Sequence, residues 1–405
     1  MRNKIAISLF YIIVCICLTG CYNARELDQL GISLIMGIDI EDGKILLTAE
    51  IVDPAYTTES SSTIQGSSVK YVQGSGNTVL EALRDITLKF DRRIYGAHNK
   101  VLIFGEEVAK LGLVSHIDEL FRDKEQRESS YILIAKGAKA YEVMGITNGL
   151  ETIPANYILD LIQNVKYNPK AVVVSIIDYL RHYYHEGHHP VAGVIEKIKK
   201  MEIDELGEST GTKNYELTII GSAIFKKDKL RGYLNGNDTK AVNFILGHIE
   251  RSIITFPTPT NVFEEGQSEI GKQQLSSVIV IKSKVKNDVE MEGDRLILKT
   301  KVDLRTSLGE FNGKIDLTKE ENLNKIAEAC SKTAEINIKS AVKKVQKEYG
   351  VDIFGFGIEF HRKYPKQWEK IKDNWDEIFA EADFEIEVKT HIIRTGLINN
   401  PPIVE

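Results

Sequence analysis

Of its 405 residues the chain spends four on cysteine, nine on proline and two on tryptophan. Cys15 and Cys17 lie inside the first apolar run and Cys21 directly behind it, so Cys330 is the one thiol left to the body of the protein. A single thiol closes no internal disulfide, and stability must come from packing. Past residue 20, the longest apolar runs, such as Ala171 to Ile177 and Leu217 to Phe225, fall far short of the ~20 residues of a membrane-spanning helix. A basic excess is missing too: 52 Lys and Arg face 58 Asp and Glu, a formal net charge of −6. That balance argues against nucleic acid as a partner and against electrostatic attraction to anionic lipid.

What is present begins at the N-terminus. Met1-Arg2-Asn3-Lys4 is a basic opening, and Ile5 to Leu18 is an apolar run too short to span a bilayer. Leu18-Thr19-Gly20-Cys21 follows, and this tetrapeptide resembles the lipobox of bacterial lipoproteins. The resemblance implies cleavage before Cys21 and acylation of its sulfur and amine. Two or three acyl chains hold a protein at a membrane where one does so only marginally. An ordinary secreted protein with an incidental Cys21 is the alternative. With the leader removed, 50 cations face 58 acids, a net charge of −8, so the lipid would be the main attachment.

Strand and helix patterns interleave along the rest. Ile32 to Ile40 and Lys44 to Val52 flank Glu41-Asp42-Gly43, a hairpin signal. Tyr56 to Ser68, rich in Ser and Thr, reads as a loop. Thr78 and Glu81 form a capping box for a helix with Val79, Ala82, Leu83, Ile86 and Phe90 on one face. A strand at Val101 to Phe104, helical pattern from Glu106 to Arg127 broken at Gly112, and a strand at Tyr131 to Ala135 come next. Helices over Ala155 to Val165 and Val174 to about Glu186 precede a strand or helix at Val191 to Lys199.

After the polar stretch Met201 to Lys213, strands are expected at Tyr215 to Phe225 and Leu230 to Leu234, then at Val278 to Val285 and Leu296 to Leu304. Thr318 and Glu321 look like a second capping box, opening a long one-sided helix from Leu323 to Val345. Pro365 suits the first turn of a helix with Trp368, Ile371, Trp375, Ile378 and Phe379 in one stripe, and Phe384 to Ile392 alternate as a last strand.

These elements predict an α+β fold of two to three domains, each a mainly antiparallel or mixed sheet packed with helices, with the long helix over an antiparallel sheet at the C-terminus. The expected division is a leader over 1–20, an N-terminal domain over 21–200, a linker over 201–213, a middle region over 214–256 that could form a subdomain, and a C-terminal domain over 275–398.

Few residues invite chemistry. His185-Glu186-Gly187-His188-His189 fits H-E-x-x-H, with His182 one turn earlier, so His182, His185 and His189 are the metal candidates. Gly187 weakens the helix that motif requires and Pro190 pulls His189 from helical angles, which favours a solvated loop. Arg92-Arg93 reads as a solvated or paired turn, and Asp123 with Arg127 as a surface helix pair. Gly355 and Gly357 lack the third glycine of a dinucleotide loop and suit a tight turn that packs Phe354 or Phe356 inward. Cys330 and the two tryptophans read as core.

Taken in order, several short motifs are similar to the Ger(x)C family of spore-germination lipoproteins. They are Gly20-Cys21 with Arg25-Glu26-Leu27; Gly37-Ile38-Asp39; Arg92-Arg93-Ile94-Tyr95 with His98; Gly105-Glu106-Glu107-Val108-Ala109; Arg122-Asp123-Lys124-Glu125-Gln126-Arg127; Asp352-Ile353-Phe354-Gly355-Phe356-Gly357; and Trp368 with Trp375. Tyr22 stands where members commonly carry Trp. The resemblance implies a non-enzymatic, lipid-anchored C subunit of a nutrient germinant receptor, without cofactor or catalytic residues. Its implied partners are an integral membrane A subunit and a transporter-like B subunit, and its implied place is the outer face of the spore inner membrane. The competing readings are a solute-binding lipoprotein, which needs a deep cleft between lobes, and a zinc hydrolase built on Glu186.

Overall fold

A computed structural model of the chain describes Lys4, Ile5, Ile7 and residues 29–52, 68–122, 127–147, 150–199, 215–259, 274–293, 295–313 and 316–395. The rest of the leader, Cys21 with Arg25-Glu26-Leu27, residues 56–67 of the expected loop, Asp123 and the 201–213 linker lie outside the described residues.

Two sheets carry the architecture. In the first, β1 (Leu30–Glu41) and β2 (Lys44–Val52) pair antiparallel around the predicted turn, from Ile32↔Val52 to Glu41↔Lys44. β3 (Val69–Gly76) adds antiparallel to β2. On the other side of β1, β5 (Val101–Gly105), β6 (Tyr131–Ala135) and β7 (Val191–Lys199) run parallel, and short β4 (Arg93–Tyr95) lies parallel to the start of β1. β8 (Tyr215–Lys226) and β9 (Lys229–Leu234) finish the sheet antiparallel.

Parallel neighbours need crossovers, and the helices supply them. They are α1 (Val79–Ile86), α2 (Glu106–Leu111), α3 (Val114–Phe121), α4 (Ala140–Val143), α5 (Pro154–Asn164) and α6 (Ile176–Tyr184). Along β5 and β6 alternate side chains enter different cores. Leu102, Phe104, Ile132 and Ile134 join one, while Val101, Ile103, Leu133 and Ala135 join another with α4 and α5. All five residues of β5 are buried. A sheet covered on both faces explains why these strands read as unbroken apolar runs.

The middle region does not build a sheet of its own. β8 and β9 belong to the first sheet, α7 (Gly236–Leu246) follows, and β10 (Ile253–Pro257) opens the second. That second sheet has the order β10-β11-β12-β13, with β11 (Leu275–Glu292), β12 (Arg295–Glu310) and β13 (Asp383–Arg394). β13 joins β12 parallel, so the sheet is mixed where the pattern predicted antiparallel pairing. The cause is the crossover: α8 (Glu320–Lys344) carries the chain back across the sheet, and the next strand starts from the same end as β12. Ile326, Cys330, Ala334, Ile338, Ala341 and Val342 form the expected buried stripe of α8.

Two further expectations are corrected. Thr318 does not cap α8; Lys319 holds that position without a side-chain bond, and the Thr318 hydroxyl turns to Asp316. After α9 (Phe356–Lys363), the tryptophan helix is two helices, α10 (Pro365–Ile371) and α11 (Trp375–Glu381), parted by a 3-10 turn at Lys372–Asn374. One continuous core reaches from Phe104 in the first sheet to Ile338, Trp368 and Trp375 around the second.

Candidate functional site

The densest polar chemistry lies where the chain after α6 meets the turn before α9. Helix α6 ends at Tyr184 with His185 as its extended C-cap, so His185 and His189 do not share one helical face and the H-E-x-x-H geometry is not formed. The expected solvated loop is also overturned. His188 and His189 are 8% and 9% exposed, held by residues more than 160 positions later in the chain.

Asp352 is the hub. Its carboxylate is fully buried and accepts from the backbone N–H groups of Phe354 (2.9 Å), Gly355 (2.9 Å) and Gly357 (2.7 Å) and from Trp375 Nε1 (3.2 Å). Burial pushes this carboxyl up to about 6, against the pull of those donors. Its backbone carbonyl accepts from His189 N–H at 2.8 Å. Gly355 takes a left-handed φ of 81°, and Phe354 and Phe356 pack inward as the turn reading predicted.

Gly187 and Gly357 press against each other. A Cβ on Gly357 would stand 2.4 Å from the Gly187 oxygen and 2.7 Å from its Cα, and one on Gly187 would meet the Trp368 ring at 2.4 Å. The glycine of the histidine segment and the second glycine of the later motif are thus two halves of one contact. Trp368 and Trp375 stack edge to face at 5.4 Å over Phe360, and Trp368 Nε1 donates to Glu186 at 3.4 Å.

The histidines complete the joint. Lys227 N–H donates to His189 Nδ1 (2.9 Å), which leaves Nε2 as the protonated nitrogen that donates to Asp376 (2.8 Å). Lys226 binds the other Asp376 oxygen at 2.8 Å. Burial raises the Asp376 carboxyl, but the bonds from His189 and Lys226 outweigh it and hold the group below its ordinary value. His188 Nε2 donates to the Ile353 carbonyl at 3.2 Å, and burial pushes this imidazole down to about 3. Its Nδ1 and that of His182 have no partner among the described residues, although the two rings lie 4.2 Å apart.

The arrangement fastens two halves of the chain and leaves little for chemistry. Both Asp352 oxygens and both Asp376 oxygens are occupied by donors from the chain itself. Among the described residues no group of three His, Cys, Asp or Glu is placed to hold a metal ion. Sequence reasoning placed Asp352 in a motif without giving it a role and missed Lys226 and Asp376; an Asp followed at three and five residues by glycines was the available signal for a carboxylate that gathers turn N–H groups.

Two family models match in sequence order. Residues 23–197 match the spore germination protein N-terminal domain, and residues 220–396 match the C-terminal domain described as spore germination B3/GerAC like. Both models describe halves of one kind of protein. The chain belongs to the Ger(x)C family. Among Ger(x)C relatives it is similar to spore germination protein KC of Bacillus subtilis, at 29% identity over 99% of this chain and 98% of that one. Spore germination protein B3 of the same organism is 26% identical over 96% and 97%. The crystal structure of the GerBC protein shares the fold with a TM-score of 0.53 at 21% identity, over 89% of this chain and 97% of that one.

Several Ger(x)C motifs now have physical explanations. Asp39 of Gly37-Ile38-Asp39 is buried and accepts from the N–H groups of Ala140 (2.8 Å) and Tyr141 (3.2 Å), seating α4; burial raises its carboxyl. Gly105-Glu106-Glu107-Val108-Ala109 is the step from β5 into α2. Arg93, Ile94 and Tyr95 form β4, with His98 edge-on to Tyr95. The Asp352 motif and the two tryptophans build the joint.

Proposed function

We propose that this chain is the lipid-anchored, non-enzymatic C subunit of a nutrient germinant receptor. It works through protein contacts with the integral membrane A and B subunits, close to the bilayer on the outer face of the spore inner membrane. The observation that carries the reading is the match of both Ger(x)C domains in order, together with relatives named as spore germination proteins over nearly their whole length. Leu18-Thr19-Gly20-Cys21 supports the anchor. Seven residues lie between Cys21 and Gln29, eight chain steps with a reach of at most about 29 Å, so an acylated sulfur would keep the body beside its membrane neighbours. Confinement of that kind raises effective concentration and lets modest interfaces suffice. The saturated carboxylates of the joint support a structural rather than catalytic role.

The solute-binding reading gains nothing from the geometry. Trp368, Trp375 and the paired glycines fill the joint where a cleft would be needed. A cavity of about 610 Å³ opens beside the β1–β2 turn, but its Lys139 and Lys110 are already paired with Glu107 and Glu106, each at 2.6 Å.

Replacing Cys21 with Ala tests the proposal. The expected result is loss of the protein from the membrane fraction and loss of nutrient-triggered germination, with a diacylglyceryl-modified Cys21 as the first residue of the parent protein by mass spectrometry. A mature N-terminus without lipid would sink the anchor.

A further inference from the structure

The outer face of the second sheet, opposite α8, is unevenly charged. At one end its charges are matched: Lys299 pairs with Glu290 and Glu385, Arg295 with Asp383, and Lys363 reaches Asp288. Toward β10 the matching fails. Side by side across β11, β12 and β13 stand Lys286, Lys301 and Glu387; then Lys284, Asp303 and Lys389; then Lys282, Arg305 and His391. The next row holds Ile279, Ser307 and Arg394, with Ile253 beside Ile279.

Two carboxylates sit in this field. Glu387 bridges Lys301 (3.0 Å) and Lys389 (2.8 Å), and Asp303 lies 3.5 Å from His391. Lys282, Lys284, Lys286, Arg305 and Arg394 are exposed and have no ion pair among the described residues. Isoleucines border them: Ile253, Ile279, Ile281 and Ile393 are 41% to 50% exposed. A chain of net charge −6 thus concentrates unmatched cations, fringed by apolar side chains, on one plane of roughly 10 Å by 25 Å.

We propose that this face docks on an anionic phospholipid surface, with the lysines and arginines at the phosphates and the isoleucines at the headgroup boundary. The shape argues for a bilayer over an acidic polypeptide. The cations are spread in two dimensions over three strands, on long, exposed side chains of a sheet face. Addition of a peptide strand to β13 is opposed because the Val388 N–H on its outer edge is already bonded to Glu335 at 2.9 Å. The net charge argued against such attraction, but a local field acts within about a Debye length, where the average over the chain does not matter. The inference does not depend on acylation of Cys21.

The test is flotation of the full chain carrying Cys21→Ala with vesicles of phosphatidylcholine alone or mixed with phosphatidylglycerol, at low and high salt. The comparison chain adds Lys282→Gln, Lys284→Gln, Lys286→Gln, Arg305→Gln and Arg394→Gln; the leader is the same in both. The bound-to-free ratio on phosphatidylglycerol vesicles at low salt is expected to fall at least about tenfold in the comparison chain, with no change on phosphatidylcholine. A chain with Lys284→Gln and Lys286→Gln alone should lose an intermediate amount, which guards against a folding defect. Equal binding to both vesicle types, or equal binding by both chains, overturns the proposal. Charge-dependent retention on polyglutamate without retention on vesicles overturns it as well and gives the face to an acidic polypeptide.

Discussion

The centre of the first sheet buries both of its faces and the second sheet buries one. β5 and β6 feed two cores at once, so nearly every side chain along them is apolar. β12 alternates between buried residues such as Leu298, Val302 and Leu304 and outward ones such as Lys301 and Arg305. The parallel centre of the first sheet is sealed by its own crossover helices, whereas the second sheet receives α8 on one side and leaves a broad plane to solvent. Open surface on a sheet face is therefore found where the topology supplies no second helical layer. Substituting one residue in each sheet would break the comparison if it is wrong. Phe104→Ala in β5 should cost about 4 kcal/mol of unfolding free energy, whereas Lys284→Ala on the outer face of β11 should stay within about 0.5 kcal/mol. Urea denaturation of both variants measures the difference, and a large cost for Lys284→Ala would mean that the outer plane is packed against something.

How far each half could be read from sequence follows from the same contrast. Alternation in β11 and β12, the unbroken runs of β5 and β6, and the stripe on α8 all stand out because one physical requirement dominates each. α7 was missed because Thr239, Ala241, Val242, Asn243, Phe244 and Ile245 are all buried, which leaves no polar face to set a period; its capping Asn235 and the left-handed Gly247 were the signals on offer. β3 was missed because Val-Lys-Tyr-Val-Gln-Gly-Ser-Gly carries two glycines and little apolar content. The joint was the least legible part. His188 and His189 look like a polar loop locally, and their burial is decided by Ile353 and Asp376, which no local pattern can supply.

That joint between the sheets holds two groups whose titrations oppose each other, which sharpens the comparison at its boundary. His188 is lowered from its ordinary 6.5 to about 3, so it contributes stability above pH 6.5 that is lost as pH falls toward 3. Asp352 is raised from its ordinary 3.8 to about 6, so its contribution is complete below 3.8 and is lost as pH rises through 6. Between about pH 4 and 6 the two nearly cancel in the parent protein. His188→Gln keeps a donor for Ile353 and removes the imidazole, leaving the Asp352 effect alone. Relative to the parent, the variant should then lose on the order of 2 kcal/mol from pH 4 to pH 6. Urea midpoints across that window at constant ionic strength decide the matter, and parallel profiles for the two proteins would show that His188 does not titrate differently in the folded state.

The smallest expected effect concerns two threonines that look alike in sequence. Thr78 and Thr318 each precede a glutamate by three residues, the arrangement that marks a capped helix start. In the first half the pattern is real: Thr78 Oγ1 accepts from the Glu81 N–H at 3.1 Å, and Glu81 reaches back to the Asn77 N–H at 2.7 Å. In the second half Asp316 accepts from Thr318, both from its N–H at 2.9 Å and from its hydroxyl, and the helix starts behind Lys319. α1 has only eight residues with which to cover the strands beside it, so its first turn needs the cap; α8 has 25 residues and a buried stripe that fixes it without one. Thr78→Ala should therefore cost about 1 kcal/mol and Thr318→Ala less than about half of that. Equal losses in thermal unfolding would mean that the two halves start their helices by the same means and that burial along α8 does not substitute for a cap.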